Sequence, residues 1–259
     1  MADFLDFLAE SAKATIDSGY YKALPEATTS RASLKKAILE AKHAPIITEI
    51  KAASPSSGTI RENFEPRSIA ESMEKGGAVG ISVLTEPKCF NGSIRSLVEA
   101  RKTVEVPILM KDIILSPVQL EAASKLGANV VLLIEALFDR GYCESTLSNM
   151  IETAHSKGLE VLLETHTSGE FRSALAAQAD LVGINNRNLS TLKVDLNVTK
   201  TILEQNSAEG KIIVSESGMR TPSDLRFLRL HGAQAFLIGS AVMLADNIEG
   251  KVRELVSAL

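Results

Sequence analysis

Short apolar runs alternate with longer amphipathic stretches along most of the 259-residue chain. This alternation predicts parallel strands joined by crossover helices. The predicted strands lie at residues 46–51, 80–85, 107–111, 130–134, 160–164, 181–185, 211–216 and 235–239. Eight such units predict that the sheet closes on itself, so we expect an α/β fold, a (β/α)8 TIM barrel.

A short sequence pattern recurs at intervals of about fifty residues, which indicates an internal repeat. Each copy joins the end of a helix to the strand that follows it, and these strands are the second, fourth, sixth and eighth. Three of the four copies begin with glycine. The copies lie at residues 77–82, 127–132, 178–183 and 232–237. This regular spacing indicates a unit of two strands and two helices, which favours a closed barrel over an open doubly wound sheet.

The residues before the first predicted strand contain two amphipathic helical patterns. Their apolar positions are Phe4, Leu5, Leu8 and Ala12, then Leu34, Ile38 and Leu39, with Ser30 and Ser33 as capping candidates. Neither pattern has a place among the outer helices of a barrel. We therefore expect residues 1–44 to form an N-terminal helical extension across one end of the barrel, and residues 1–259 to form a single domain.

Composition limits the class of partner. The formal net charge is −4 without a long basic block, which argues against nucleic acid, because binding a phosphate backbone requires a concentrated positive surface. No apolar run reaches membrane-spanning length, and the first residues are acidic where a signal peptide would be basic. We expect no membrane association, a small anion as the ligand of the local basic residues, and a monomer, with a homodimer as the alternative.

The two cysteines, Cys89 and Cys143, lie far apart and form no Cys-x-x-Cys motif. Neither a disulfide framework nor a zinc cluster is therefore predicted. This cysteine usage fits a reducing compartment, so we expect a cytoplasmic protein.

Several predicted strands end in groups able to do chemistry, and a barrel builds its active site at these carboxyl ends. Lys111 ends the third strand; a single lysine there would be read as a side chain that extends to water. Glu49 and Lys51 share one face of the first strand, either as a structural ion pair or as a pair that shares a substrate. Lys111 has no acidic partner on its own strand, so we expect it to be free of an ion pair.

Glu164 follows two leucines at the end of the fifth predicted strand. Burial should raise the pKa of its carboxyl and make it a base near neutral pH, a role for which His166 is the alternative. The two side chains share a face, as two metal ligands would. No cluster supplies a third ligand, so we expect no metal.

The sixth predicted strand carries Asn185 and Arg187 on one face. An amide and a forked cation suit a carboxylate; the alternative is a capped loop rich in asparagine. The hydroxyl-rich loop that begins at Ser54 is by itself an ordinary turn.

The last two predicted strands lead into Ser215-Glu-Ser-Gly218 and Leu237-Ile-Gly-Ser240. In both segments a glycine lets backbone amides approach a ligand closely. In barrels of this size these loops commonly hold a phosphate near a helix N-terminus. The alternative is that Gly218 and Gly239 serve only tight turns.

The assembled segments resemble those of indole-3-glycerol phosphate synthases, barrel enzymes of the tryptophan pathway. The likeness covers nearly the whole chain, and its motifs are highly specific when taken together. They are Glu49-Ile-Lys-Ala-Ala-Ser-Pro-Ser-Ser-Gly58, Ser82-Val-Leu-Thr-Glu86, Phe90-Asn-Gly-Ser93, Leu109-Met-Lys-Asp112, Leu132-Leu-Ile134, Gly183-Ile-Asn-Asn-Arg-Asn-Leu189 and Ser215-Glu-Ser-Gly218.

The resemblance implies conversion of 1-(2-carboxyphenylamino)-1-deoxyribulose 5-phosphate to indole-3-glycerol phosphate, with loss of carbon dioxide and water and without a cofactor. It implies that Lys111 is the acid for ring closure and Glu164 the base for dehydration. Lys51, held by Glu49, would be the acid for the departing hydroxyl and, with Arg187, would bind the substrate carboxylate. The implied phosphate positions are Ser54, Gly218, Gly239 and Ser240, and the other implied substrate positions are Asn185, Arg187, Glu216 and Ser217.

Two departures from the family pattern lie near the site. Family members usually have an arginine after the first-strand lysine, where this chain has Ala52-Ala53, and a phenylalanine where it has Ile113. Phe90 then remains as the expected aromatic wall for the substrate ring.

One alternative function is another phosphate-binding barrel enzyme, such as phosphoribosylanthranilate isomerase, which needs no paired lysines. The other is a non-catalytic sugar-phosphate-binding barrel, which the acid and base candidates disfavour.

Overall fold

The computed structural model of the chain describes residues 3–22, 24–25, 27–51, 53–54, 58–59, 65–189, 191–208 and 210–259. The strands are β1 (Ile46–Ile50), β2 (Ala53–Ser54), β3 (Gly58–Thr59), β4 (Gly80–Leu84), β5 (Ile108–Lys111), β6 (Val130–Ile134), β7 (Glu160–Thr165), β8 (Leu181–Asn185), β9 (Ile212–Glu216) and β10 (Ala235–Ile238). The helices are α1 (Phe4–Asp17), α2 (Leu34–Glu40), α3 (Pro66–Lys75), α4 (Ile94–Arg101), α5 (Pro117–Lys125), α6 (Glu135–Asp139), α7 (Leu147–Ser156), α8 (Ser168–Ala176), α9 (Asn197–Gln205), α10 (Pro222–Leu230), α11 (Ser240–Met243) and α12 (Ile248–Val256).

Eight parallel strands close into a barrel in the order β1, β4, β5, β6, β7, β8, β9, β10, with β10 pairing back to β1. The short strands β2 and β3 form a separate antiparallel pair after β1. The predicted (β/α)8 barrel is confirmed, and all eight predicted strands agree with the observed ones to within one residue at each end. Within the described residues, no helix has the length and apolar character needed to cross a membrane.

Alternation along each strand divides the apolar side chains into two sets. Inward side chains such as Ile47, Leu109 and Val214 fill the barrel. Outward side chains such as Met110 and Phe236 pack beneath the surrounding helices. Because apolar side chains fill the interior, polar side chains gather at the carboxyl ends of the strands.

Helix α1 lies across the carboxyl end of the barrel. Asp3 caps its N-terminus, and its buried face includes Leu5 and Leu8, which pack on the barrel interior. Arg140, just after α6, donates to Asp3 at 2.8 Å and thereby fixes the start of the helix. A hydrophobic face on one side and an ion pair at one end orient α1 over the barrel mouth.

The segment that follows α1 is attached to the ends of the second and third barrel strands. The Tyr21 hydroxyl donates to both carboxylate oxygens of Asp112 at 3.0 Å. The Tyr20 hydroxyl donates to the Thr85 carbonyl at 3.3 Å and accepts from the Ile94 amide at 3.0 Å. These contacts hold the chain where it leaves the mouth.

Helix α2 lies at the opposite end of the barrel. Ser33 caps the helix, and the Glu160 carboxylate, at the start of β7, accepts from the amides of Leu34 at 2.9 Å and Lys35 at 3.1 Å. Leu34 is buried among the barrel residues, whereas Leu39, which the sequence pattern also places on the apolar face, is 64% exposed.

The expectation that the extension covers one end of the barrel is therefore wrong, because its two helices cover both. The physical reason is the connection between them, residues 18–33. A chain of this length can extend on the order of 50 Å, enough to run along the outside of a barrel. Its outer course is marked by Asn129 at the start of β6, whose amide donates to the Ser30 carbonyl at 2.9 Å.

Candidate active site

A pocket of about 770 Å³ opens at the carboxyl ends of the barrel strands, beneath α1. Most of the residues that the sequence predicts for the site line this pocket. They are Glu49, Lys51, Phe90, Lys111, Glu164, Asn185, Arg187, Ser217, Gly218, Gly239 and Ser240. Glu216 joins the same group through Lys111. For Ser54 the structure describes the backbone in β2 but not the side chain, and residues 55–57 of its loop lie outside the described residues.

Lys111 is at the centre of a group of carboxylates. Its Nζ lies 3.4 Å from Glu164 Oε2, 3.5 Å from Glu216 Oε2 and 4.0 Å from Glu49 Oε2. Burial alone would lower the pKa of Lys111, but the three carboxylates outweigh burial and hold the pKa above its usual range. The expectation that Lys111 is free of an ion pair is wrong, since its partners come from other strands rather than its own.

Lys51 and Glu49 form the ion pair that the alternation of β1 predicts. Lys51 Nζ lies 3.1 Å from Glu49 Oε1. Burial opposes ionisation of Glu49, but Lys51 and Lys111 together lower its pKa below the usual value. A methyl group at Gly239 would lie 2.5 Å from Glu49 Oε1 and 2.9 Å from Lys51 Nζ. The absence of a side chain at Gly239 therefore makes room for this pair, in addition to any role in approaching a ligand.

Glu164 contacts Asn185 and His166 with one carboxylate oxygen and faces Lys111 with the other. Asn185 Nδ2 donates to Oε1 at 3.0 Å, and His166 Nε2 lies 3.2 Å from the same oxygen. Burial alone would raise the pKa of Glu164, but Lys111 and His166 outweigh burial and hold it below its usual range. The expectation of a raised pKa is therefore wrong, because the sequence shows the buried leucines but not the cations that meet this carboxylate.

The carboxyl with a raised pKa is Glu216, at the end of β9. Burial, together with repulsion from Glu164, raises its pKa to about 8 in spite of the attraction of Lys111. Its Oε1 lies against Gly183 of the neighbouring strand β8, where any side chain would overlap it. A glycine in the middle of β8 thus creates the space that Glu216 occupies.

Asn185 and Arg187 lie together at the mouth of the barrel, as the alternation of β8 predicts. The Arg187 amide donates to Asn185 Oδ1 at 2.9 Å, and its guanidinium donates to the Leu192 carbonyl at 3.1 Å. Burial lowers the pKa of Arg187, but a guanidinium remains protonated at any physiological pH. Arg187 therefore supplies a partly buried positive charge to the wall of the pocket.

The loop after β9 has a constrained backbone. Ser217 has φ 66° and Gly218 has φ 93°, both in the left-handed region. A methyl group at Gly218 would also lie 2.5 Å from Val194 Cγ1. Asn186 Nδ2 donates to the carbonyls of Glu216 at 2.9 Å and Ser217 at 3.1 Å and so holds the turn. Strain of this kind is typical of loops that are shaped for a ligand.

Helices α10 and α11, which follow these loops, differ in whether their N-terminal amides are capped by side chains. Helix α10 is closed by its own capping box, in which Thr221 and Asp224 satisfy the first amides. The four-residue helix α11 begins at Ser240 on the pocket wall without a side-chain cap. The amides of Gly218 and Ser240 donate no hydrogen bond to another described residue. Both residues line the pocket, so these two amides are candidate donors to an anion.

Apolar residues enclose the other side of the pocket. Phe90 lines it, and its loop is held by Glu86, which accepts from the Phe90 amide at 3.2 Å. Ile113 lines the wall at the position where the family pattern has phenylalanine. Phe4 and Leu8 reach the pocket from α1.

Sequence reasoning misses several residues of the site. Phe4 and Leu8 belong to a helical stripe whose location is not visible in the sequence. Asn186 donates hydrogen bonds to the loop after β9. Arg220, just before α10, and Lys251, in α12, also line the pocket. The signal for Asn186 is its place between two predicted site residues; the other positions depend on how the helices pack. Among the described residues, no group of three or more His, Cys, Asp or Glu side chains is arranged to hold a metal ion.

Comparisons with known proteins show which family the sequence matches. A family model described as indole-3-glycerol phosphate synthase matches residues 9–255. The indole-3-glycerol phosphate synthase of Methanocaldococcus jannaschii is 46% identical over 227 residues, which cover 86% of this chain and 82% of that protein. That of Bordetella pertussis is 42% identical over 214 residues, which cover 83% of this chain and 80% of that protein.

Solved structures with lower identity show the fold alone. Thiamine phosphate pyrophosphorylase from Pyrococcus furiosus superposes with a TM-score of 0.60 at 17% identity, covering 87% of this chain and 97% of that chain. N-acetylmannosamine-6-phosphate 2-epimerase from Clostridium perfringens gives a TM-score of 0.61 at 13% identity, covering 84% and 93%. Unrelated chemistry on the same barrel is expected, because function depends on the site rather than on the fold.

Proposed function

The chain belongs to the indole-3-glycerol phosphate synthase family, and from this we propose the reaction and the residues that perform it. The substrate is 1-(2-carboxyphenylamino)-1-deoxyribulose 5-phosphate, and the products are indole-3-glycerol phosphate, carbon dioxide and water. The observation that carries the assignment of residues is the position of Lys111 Nζ, 3.4 Å from Glu164 Oε2 at the mouth of the barrel. An acid and a base thus face each other in a pocket that also contains a second lysine.

In the first step, the ring carbon that bears the carboxylate attacks the substrate ketone. A carbon–carbon bond forms, and the ketone oxygen takes up negative charge and then a proton. Lys111 is the donor in this proposal, because its raised pKa keeps it cationic at neutral pH. A fixed cation stabilises the charge that develops on the oxygen. Loss of carbon dioxide then restores the aromatic ring.

In the second step, the new hydroxyl leaves as water and the neighbouring carbon loses a proton. Glu164, whose pKa lies below its usual range, is ionised at neutral pH and accepts that proton. Lys51, held 3.1 Å from Glu49, protonates the departing hydroxyl. The two steps therefore use different acids, Lys111 for ring closure and Lys51 for dehydration.

Substrate binding is assigned to the remaining residues of the pocket. The phosphate binds at Gly218, Gly239 and Ser240, with Ser54 as a further contact, because Gly218 and Ser240 line the pocket and their amides donate to no other residue that the structure describes. Arg187 and Lys51 bind the substrate carboxylate. Asn185, Glu216 and Ser217 complete the polar wall, and Phe90 and Ile113 enclose the ring.

The test is a direct assay. The purified protein is incubated with the substrate in the presence of a metal chelator, and indole fluorescence is followed. We expect turnover without any added cofactor. Glu164→Gln should retain substrate binding and lose on the order of 10²–10⁴-fold in turnover, as is typical for a positioned base. Unchanged turnover in Glu164→Gln would make this residue a structural partner of Lys111.

A matched variant controls for the loss of a surface charge. Lys125→Met removes an exposed lysine of α5 that pairs with Glu121 at 3.1 Å, and it should leave turnover unchanged. Phosphoribosylanthranilate, offered as an alternative substrate, tests the isomerase reading, and we expect no conversion.

We further propose that the enzyme works as a monomer in the cytoplasm. Cys89 and Cys143 are both free thiols, as is usual in a reducing compartment. Light scattering of the purified protein distinguishes a monomer from the homodimer that is the alternative.

A further inference from the structure

His166 is held between two carboxylates directly behind Glu164. Its Nε2 lies 3.2 Å from Glu164 Oε1, and its Nδ1 lies 3.3 Å from Glu170 Oε2. The His166 side chain is 12% exposed. It is not among the described residues that line the pocket. The imidazole therefore meets the proposed base from behind and does not border the substrate.

Asn185 and His166 both contact the same oxygen of Glu164, which leaves the other oxygen for the reaction. Asn185 Nδ2 donates to Oε1 at 3.0 Å, and His166 reaches the same oxygen. Oε2 instead faces Lys111 at 3.4 Å. The hydrogen bond from Asn185 and the close contact with the His166 ring both lie on Oε1, so Oε2 is the oxygen left on the side of Lys111.

Glu170 provides a rigid support for His166. It belongs to the first turn of α8, and its Oε2 accepts from the His166 amide at 2.8 Å. Its Oε1 accepts from the Thr167 hydroxyl, which in turn caps the helix, at 3.0 Å. The carboxylate that orients the imidazole is thus anchored to the end of a helix and the loop before it.

The charges around His166 favour its doubly protonated form. Burial alone would lower the pKa of the imidazole, but the hydrogen bonds and charges of Glu164 and Glu170 raise it to about 9. The other charged groups near this pair are Lys111 and Glu216, which face Glu164, and Glu135, whose charge interacts with Glu170. With both nitrogens protonated, Nδ1–H donates to Glu170, and the positively charged ring places Nε2 against Glu164 Oε1.

We propose that His166 is a positioning residue that, supported by Glu170, keeps Glu164 ionised and aims its Oε2 at the substrate. This inference rests on the proposed function, in which Glu164 is the base. His166 neither accepts a proton from the substrate nor touches it in this arrangement. Its effect on the reaction is exerted through the pKa and the orientation of the Glu164 carboxylate.

The test is the pH profile of kcat/KM in His166→Gln. Glutamine places an N–H donor near Glu164 but removes the positive charge, so the pKa of Glu164 should rise. The acid limb of the profile should therefore move to higher pH by on the order of one unit, which lowers kcat/KM about tenfold on that limb. KM should change little, because His166 lies behind the pocket wall.

A second histidine provides the matched control. His231 pairs with Glu204 at 3.6 Å on the outer helices, and His231→Gln should give a wild-type pH profile. The protonation state can also be observed without activity, by ¹⁵N NMR of the imidazole signals that disappear in His166→Gln. We expect both ring nitrogens of His166 to be protonated at pH 7. In Glu170→Gln the titration of this ring should move to lower pH.

The outcomes separate this inference from the proposed function. If wild-type protein does not turn over the substrate, the proposed function fails. If wild-type protein is active but the acid limb in His166→Gln is not shifted, the positioning role is wrong, even when kcat/KM falls uniformly through lost packing. A neutral His166 ring at pH 7 overturns the proposal independently of any rate.

Discussion

Lys51 and Lys111 stand in one pocket with different partners, and this difference predicts different defects when each is removed. Lys51 pairs with Glu49, whereas Lys111 is shared by three carboxylates. Lys111→Met should block ring closure and hence both carbon dioxide release and indole formation. Lys51→Met should slow dehydration more, so it should release carbon dioxide faster than it forms indole. Single-turnover experiments that follow both signals check the division.

Two controls accompany these variants. Substrate binding and thermal unfolding must be measured for Lys111→Met, because loss of this cation leaves buried carboxylates without a shared partner. If Lys51→Met stops carbon dioxide release as completely as Lys111→Met while still binding substrate, the roles are wrongly divided.

Gly183 predicts a loss of activity from a single added methyl group. A side chain there would overlap Glu216 Oε1, and the carboxylate would have to move away from Lys111. We expect Gly183→Ala to remain folded by circular dichroism and to lose at least about tenfold in turnover, the effect of misplacing a group at the reacting centre. Gly169→Ala in α8, where a methyl group meets nothing closer than 3.8 Å, should keep wild-type turnover. Wild-type turnover in both variants would show that Glu216 need not stay in place.

Asp112 predicts how stability depends on pH. Burial raises its pKa to about 6 from the ordinary 3.8, in spite of hydrogen bonds from Thr85, Tyr21 and the Ile113 amide. The folded protein binds this proton more tightly than the unfolded chain. The stabilisation is therefore fully present below about pH 4 and is lost as the pH rises through about 6.

The measurement is urea unfolding of wild-type protein and Asp112→Asn between these pH values. The difference in the free energy of unfolding, wild type minus variant, should decrease as the pH rises. Asp17→Asn, at the exposed end of α1, is the control. A difference that stays constant with pH would contradict the assignment.

The positions of the site residues were accessible from the sequence to different degrees. Alternation along one strand is enough to pair Glu49 with Lys51 and to place Asn185 beside Arg187. The contacts of Lys111 and the low pKa of Glu164 depend on which residues of separate strands stand at the same height. That register is set by the tilt of the strands in the closed barrel, and no single segment of sequence records it.

Helix α1 is part of both the pocket wall and the core. Weakening its packing should therefore affect both stability and substrate binding. Leu8 is 2% exposed and lines the pocket. Leu8→Ala should lower the free energy of unfolding by about 2–5 kcal/mol, the usual range for this change in a core, and should raise KM. Lys13→Ala, on the exposed face of the same helix, should stay within about 0.5 kcal/mol of wild type. Chemical denaturation and steady-state kinetics check both quantities, and a wild-type KM in a destabilised Leu8→Ala would restrict α1 to a structural role.

The helices themselves follow from the sequence, but their destinations do not. Apolar spacing and the capping residues Asp3 and Ser33 define α1 and α2 locally. Which end of the barrel each helix covers depends on partners far along the chain, such as Arg140 for α1 and Glu160 for α2. Local patterns report the buried face of a helix and carry no information about the surface that buries it.

The complete barrel predicts that activity does not depend on association. The barrel that carries the proposed catalytic residues closes within a single copy of the chain, with β10 pairing back to β1. We therefore expect the specific activity to stay constant on dilution from the micromolar to the nanomolar range. Turnover measured across this range, alongside light scattering, is the check. A specific activity that falls with dilution would mean that a second copy completes the site.

The extension that covers both ends of the barrel also has a consequence for biosynthesis. A ribosome makes α1 and α2 well before the residues that receive them, Asp112, Arg140 and Glu160. The apolar faces of these two helices therefore stay without their native partners until most of the barrel has been made. Helices α1 and α2, which are synthesised before every barrel strand, can thus cover the two ends of the barrel only after the strands that receive them have been made.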